Sequence, residues 1–283
     1  MTNLATNLTS TAATNAEQDA LRINGQGVTY AQLHAMAAAV AGALRANGIQ
    51  PGDRVAIILP NVPAFPVVYW GILLAGGIVV PMNPLLKAGE IDYFFTDSGA
   101  KIAFVWPDFV PEATKGAQNS GTQIIECGPM GPVAGSFEGG DPITDPHERA
   151  DDDTAIILYT SGTTGRPKGA ELTHSNIHLN ALRSAKVIQQ MTADDIVMGC
   201  LPLFHVFGLV VGLNAATIAG ASLALIPRFD PAAAIEVIDK DRVTIMQGVP
   251  TMYAAILNHP ASDGMDASSL RTCASGAYAM TPE

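Results

Sequence analysis

Leu33, Met36, Ala37, Val40 and Leu44 recur at the three- and four-residue intervals of one helical face. Thr29 precedes them as an N-cap with Gln32 three residues on, the spacing of a capping box, and Gly48 follows as a stop. Pro51-Gly52-Asp53 then turns the chain into Val55-Ala56-Ile57-Ile58-Leu59, a continuous apolar run of the kind found in strands covered on both faces. The cycle repeats as a helix over 63–75 ended by Gly76-Gly77, a strand at 78–80, a helix over 88–96 and a strand at 102–105. Further on, strands are predicted at 155–158, 196–200, 222–226, 243–246 and 271–274. Helices are predicted from Thr173 to Gln190 and over 207–218, 231–239 and 250–257. Alternation of this sort predicts an α/β protein with parallel strands and helices on both faces. No repeat of solenoid or propeller period is present.

Two stretches break the rhythm. Met1 to Ala16 is rich in Thr, Asn and Ala, with neither a basic start nor an apolar centre. It is therefore no secretory signal and is expected to be a loosely ordered arm. From Pro107 to Asp153 Gly, Pro and acidic residues accumulate and only 123–126 reads as a strand, so a surface excursion is expected. Asp151-Asp152-Asp153 at its end reads as a solvated turn rather than a metal site.

Composition narrows the function classes. The chain of 283 residues is 48% apolar and 14% charged, the make-up of a core-rich globular protein. A formal charge of −11 argues against nucleic acid as a partner, since phosphate backbones select basic surfaces. Cys127, Cys200 and Cys273 are odd in number and far apart, which fits a reducing, cytoplasmic setting better than a disulfide framework. The apolar stretches 67–81 and 196–227 are respectively too short and too interrupted to span a bilayer, so at most a peripheral membrane association is left open.

The candidate chemistry centres on Tyr159-Thr160-Ser161-Gly162-Thr163-Thr164-Gly165-Arg166-Pro167-Lys168-Gly169, which follows the strand at 155–158. Its glycines permit close backbone approach, its hydroxyls donate hydrogen bonds, and Lys168 offers a flexible point charge. Together these suit a polyphosphate. The stretch is not a Walker A loop, because Gly162 and Gly165 are too close together. A loop rich in Gly, Ser and Thr is often merely a loop, but the full string resembles the phosphate-binding signature of the adenylate-forming superfamily. That superfamily includes acyl-CoA synthetases, luciferase-like enzymes and peptide-synthetase adenylation domains.

Three more stretches extend the resemblance. Leu201-Pro202-Leu203-Phe204-His205-Val206-Phe207-Gly208 resembles the superfamily's second signature. A lone histidine in an apolar setting is usually a satisfied core residue. The resemblance instead places His205 beside the acyl carboxylate and the α-phosphate, where it supplies a hydrogen bond. Val249-Pro250-Thr251-Met252-Tyr253 looks like the segment bordering the acyl site, and equally like a Pro-started core helix. Ala274-Ser275-Gly276-Ala277-Tyr278-Ala279 resembles the loop lying against adenine, which usually runs Ser-Gly-Gly-Ala-Pro-Leu; Ala277, Tyr278 and Ala279 depart from that pattern. Residues 75–86 look more like fatty acyl-CoA ligases than like peptide-synthetase domains, a lean toward medium or long acyl chains.

The resemblance implies ATP, magnesium and CoA as cofactors and a carboxylic acid as substrate. Thr160, Ser161, Gly162, Thr163, Thr164, Gly165 and Lys168 would hold phosphates, with Thr164 also touching magnesium, and Ser275, Gly276, Ala277 and Tyr278 would lie near adenine. It implies two adjacent mixed-sheet subdomains, 60–190 and 17–55 plus 195–283, the second incomplete. Motifs that family members carry further on, including a catalytic lysine on a mobile domain, do not occur before Glu283. The chain is therefore expected to be an N-terminal part with little activity alone, and a homodimer through the open sheet edge is a further expectation. Loading of a carrier-protein thiol, or a non-catalytic nucleotide- or acyl-binding role, are the alternatives.

Overall fold

The computed structural model describes residues 3–160 and 166–279. Two mixed sheets organise it. Strands β1 (Asp19–Ile23) and β2 (Gln26–Thr29) form an antiparallel hairpin whose two-residue turn is Asn24-Gly25, both with positive φ. Asn-Gly is the pair that such a turn selects, because both central residues must be left-handed. The signal was present in the sequence, but the helical pattern beginning at Thr29 dominates that stretch. β3 (Arg54–Ile58), β4 (Ile78–Pro81), β5 (Ala100–Val105), β6 (Gln123–Gly128), β7 (Gly131–Pro132), β8 (Thr154–Thr160) and β9 (Lys168–Thr173) make one sheet of order β7-β6-β5-β3-β4-β8-β9. β10 (Ile196–Gly199), β11 (Ser222–Leu225), β12 (Ile245–Gly248) and β13 (Thr272–Ser275) join β1 and β2 in the other, ordered β13-β12-β10-β11-β1-β2. Pairing is parallel except for β1–β2, β6–β7 and β8–β9.

From Asn3 onward the opening segment is not a loose arm. Leu4, Ala5 and Leu8 are fully buried, and α1 (Thr6–Thr14) packs by the face that carries Leu8, Thr11 and Ala12. The four-residue spacing from Leu4 to Leu8 to Ala12 puts three apolar groups on one side of an otherwise polar segment, enough to dock it. Asn3 Nδ2 donates to the carbonyls of Leu73 and His147, the backbone N–H of Leu4 donates to His174 Nδ1 at 2.9 Å, and Thr11 Oγ1 donates to the Thr217 carbonyl.

α2 (Tyr30–Ala46) starts with the expected Thr29–Gln32 capping box, with both reciprocal bonds made. α3 (Ala64–Leu74) has no polar face, and all eleven of its residues are buried. A helix apolar all round belongs inside a protein, and α3 lies in a core cluster that runs from β3 and β4 of one sheet to β10 and β11 of the other. α4 (Ala88–Ser98) and α5 (Val110–Gly116) cover the outer face of the first sheet. The expected surface excursion therefore contains a short helix after Pro107, held by buried Ala113. α6 (His174–Arg183) begins at the Thr173 cap and continues as a π-helical turn over Ser184–Ile188. A second π-helical segment, Phe207–Asn214, leads into α7 (Ala215–Ala219), and α8 (Pro231–Lys240) and α9 (Pro250–Leu257) complete the order.

The chain crosses between sheets earlier than the expected boundary after residue 55. β3 pairs with β4 and β5, so Arg54 already belongs to the first sheet. Of the leading segment, only β1 and β2 join the strands that follow residue 195, through parallel pairing of β1 with β11.

Candidate nucleotide and carboxylate site

The glycine-rich stretch sits at the end of the β8–β9 hairpin. Tyr159 pairs with Gly169 and Thr160 with Lys168, so Lys168 opens a strand where a loop running straight into a helix was expected. Ser161, Gly162, Thr163, Thr164 and Gly165 lie outside the described residues. The flanks of that stretch are braced on α4. Tyr93 donates its hydroxyl hydrogen to the Pro167 carbonyl at 2.9 Å, and the Tyr159 hydroxyl donates to Asp97 Oδ2 at 2.7 Å. The Tyr159 ring stacks on Phe94 with centroids 4.0 Å apart and planes 12° apart, while the Arg166 guanidinium lies over Tyr93. Partial burial, with the Asp97 carboxylate second, raises the Tyr159 phenol above its ordinary pKa and keeps it a donor.

His205 arrives from the other sheet. β10 ends at Gly199, and the chain turns through residues 200–206 before the π-helical segment. Within the turn the His205 N–H donates to the Pro202 carbonyl at 3.1 Å, and the His205 carbonyl accepts from Leu209 N–H at 2.9 Å. The side chain is exposed and helps wall a cavity of about 390 Å³ together with Thr160, Tyr159, Pro167, Phe94 and Phe204. Two positions 45 residues apart in the sequence numbering thus face one space across the junction of the sheets.

Gly276 reaches the same neighbourhood through the backbone. Its N–H donates to the Gly248 carbonyl at 3.2 Å, and a Cβ placed on it would lie 2.8 Å from Phe207 Cε1. A side chain there would require the Phe207 ring to shift. Ser275 pairs with Gly248 across β12 and β13. Ala277 adopts a φ of +69°, and Tyr278 is 78% exposed. Pro250 starts α9, and the Tyr253 hydroxyl donates to the Ala274 carbonyl at 2.7 Å with the Met246 carbonyl 3.0 Å away. Tyr253 thereby ties β12 to the strand that presents Gly276.

The hairpin end and the histidine turn face one cavity, and the Gly276 strand end packs on Phe207, two residues beyond His205. The comparisons decide the family: the model of the AMP-binding enzyme family matches residues 8–283. The chain belongs to the AMP-binding enzyme family. It is 31% identical to a long-chain-fatty-acid–CoA ligase of Bacillus subtilis, over 98% of this chain and 55% of that protein. It is 36% identical to a feruloyl-CoA synthase of an Amycolatopsis species, over 91% of this chain and 50% of that protein. Among solved structures, a benzoate CoA ligase from Burkholderia xenovorans superposes with a TM-score of 0.89 at 29% identity, covering 99% of this chain and 57% of that one. The chain spans about half the length of the curated relatives it matches, and its two-sheet architecture is that of the N-terminal domain of adenylate-forming ligases.

Among the described residues no group of three or more His, Cys, Asp and Glu could hold a metal ion, and Thr164 lies outside them. No described helix is long and apolar enough to cross a membrane.

The residues that the sequence did not flag are the supports. Tyr93, Phe94 and Asp97 read as part of an amphipathic helix, with nothing to say that the helix faces the hairpin. Asn61 follows a predicted strand at the end where α/β sheets present ligands, which was a usable signal. It is 4% exposed and bonds the turn that carries His205.

Proposed function

We propose that the chain binds ATP and a carboxylic acid as the N-terminal part of an acyl-CoA ligase. The observation that carries this reading is the shared cavity of Thr160 and His205. It brings a phosphate-type hairpin and a hydrogen-bonding imidazole to one space, with the Gly276 strand end packed on Phe207 beside it. In the proposed reaction a carboxylate oxygen attacks the α-phosphorus, the bond to the β-phosphate breaks and pyrophosphate leaves. The CoA sulfur then attacks the acyl carbon, and AMP departs with the electron pair of the broken carbon–oxygen bond.

The residues in hand bind and orient. Thr160, Lys168 and the stretch between them take the β- and γ-phosphates, where hydrogen bonds and one cation offset a local excess of negative charge. His205 donates a hydrogen bond where the carboxylate and α-phosphate, both anionic, must approach. Ser275, Gly276, Ala277 and Tyr278 border the base. Magnesium, when bound, would neutralise phosphate charge.

The substrate class is a carboxylic acid, and the likeness of residues 75–86 to fatty acyl ligases favours a medium or long aliphatic chain. Titration calorimetry tests both parts. ATP is expected to bind stoichiometrically, and Lys168→Ala is expected to weaken it about tenfold, the worth of one charge-assisted hydrogen bond. Decanoate is expected to bind more tightly than ferulate. Equal ATP affinity in wild type and Lys168→Ala would remove the phosphate assignment, and preference for ferulate would move the substrate to the aromatic acids.

A further inference from the structure

We propose that Asn61 is the positioning residue that holds His205 at the reacting acid, an inference that rests on the functional reading above. Asn61 lies just past the end of β3, a strand of the first sheet, and its backbone N–H donates to the Pro227 carbonyl at 3.4 Å. It follows β3 through Leu59 and Pro60 in the turn that leads to α3, and the Val62 N–H closes that turn on the Pro60 carbonyl at 2.8 Å. Its side chain crosses to the second sheet. Nδ2 donates to the Gly199 carbonyl at 3.0 Å and to the Leu201 carbonyl at 2.8 Å, and Oδ1 accepts from the Leu203 N–H at 3.0 Å.

Those bonds use both amide hydrogens and engage the amide oxygen, and all three partners are backbone groups at or just past the end of β10. The Gly199 carbonyl also accepts from the Ile226 N–H at 3.2 Å, and past it the sheet ladder has run out, so the buried carbonyl at 201 and the N–H at 203 need another source of pairing. Leu201 and Leu203 are buried at 5% and 1% exposure, which keeps water from replacing the amide. Two residues past the last clamped position comes His205, whose own N–H is tied back to Pro202.

The clamp has a functional consequence because of where its two ends lie. Thr160 and the hairpin are built on the sheet that contains β3, whereas His205 is built on the sheet that contains β10. Asn61 links the exits of those two strands directly, so it sets how far the imidazole stands from the phosphate end of the cavity. Displacement by about 1 Å of a group aimed at a reacting centre costs rate or affinity steeply.

Four proteins decide the matter: wild type, Asn61→Ala, His205→Ala and the double variant, each titrated with ATP and with decanoate. Asn61→Ala is expected to weaken decanoate binding about tenfold, to leave ATP within about twofold, and to add nothing once His205 is already removed. A loss of equal size in both backgrounds, a loss shared equally by ATP and decanoate, or no loss would each overturn the positioning role. A ligand-free readout accompanies the titrations, the rate at which diethyl pyrocarbonate modifies His205. That rate is expected to change by about threefold or more in Asn61→Ala while the other histidines keep theirs, and an unchanged rate would overturn the proposal. Should wild type bind neither ATP nor decanoate, the functional reading fails while the modification rate still decides the clamp. If Asn61→Ala does not fold, Asn61→Ser, which retains one donor, is measured in its place with a smaller loss expected in the same pattern.

Discussion

Ala277 holds a φ of +69°, a conformation in which its Cβ crowds its own backbone. The loop pattern that this stretch resembles has glycine here, and in this chain the position follows β13 directly after Gly276. Replacing Ala277 by Gly removes a strain of about 1–2 kcal/mol and gives back part of it as unfolded-chain entropy. A melting temperature about 2 °C higher is therefore expected by calorimetry. No change would mean that residue 277 relaxes out of the left-handed region. Gly276, beside it, has the opposite constraint. Its hydrogen faces Phe207, so the residue is set by packing and not by φ.

The N-terminal segment is hydrogen-bonded to two histidines of α6, and that chemistry predicts a response to acid. Leu4 N–H donates to His174 Nδ1, and Asn7 Oδ1 lies 3.0 Å from His178 Nδ1. Burial, with the Arg149 cation second, lowers His174 from its ordinary 6.5 to about 4, while Asp153 and Asp151 oppose the shift. Because the unfolded chain takes up this proton at a higher pH than the folded one, stability is retained above about pH 6.5 and falls as pH drops toward 4. A protonated Nδ1 also cannot accept from Leu4. Melting temperature measured across that interval is expected to fall, and to fall less in His174→Gln; parallel curves would exclude His174 as the cause.

Because α3 lies in a core shared by the two sheets, the described molecule is expected to unfold as one cooperative body. Trp70 on α3 and Trp106 beyond β5 pack into the same cluster that reaches β10 and β11. Tryptophan fluorescence and far-ultraviolet circular dichroism are expected to report a single coincident melting transition. Gly71 is a close contact between α3 and α2, since a Cβ there would lie 2.7 Å from Val40 Cβ. Gly71→Val is expected to cost about 2 kcal/mol by overpacking and to shift both signals together. Separate shifts would show that the sheets unfold independently.

Much of this was legible along the chain because it depends on neighbours in sequence. The α/β alternation, the Thr29 and Thr173 caps and the Pro-started helices follow from periodicity and local hydrogen bonding. The glycine-rich signature and the histidine turn also announced themselves as short strings whose chemistry is complete in a few residues. The docking of the N-terminal helix, the crossing of β3 into the first sheet, the α4 brace and the Asn61 clamp did not. Each depends on which distant surface a side chain meets, and a polar residue has the same local preferences whether it meets water or the buried end of a strand. Sequence pattern sets where elements form and which faces are apolar, but only three-dimensional packing brings Thr160 and His205 to one cavity and sets Gly276 against Phe207.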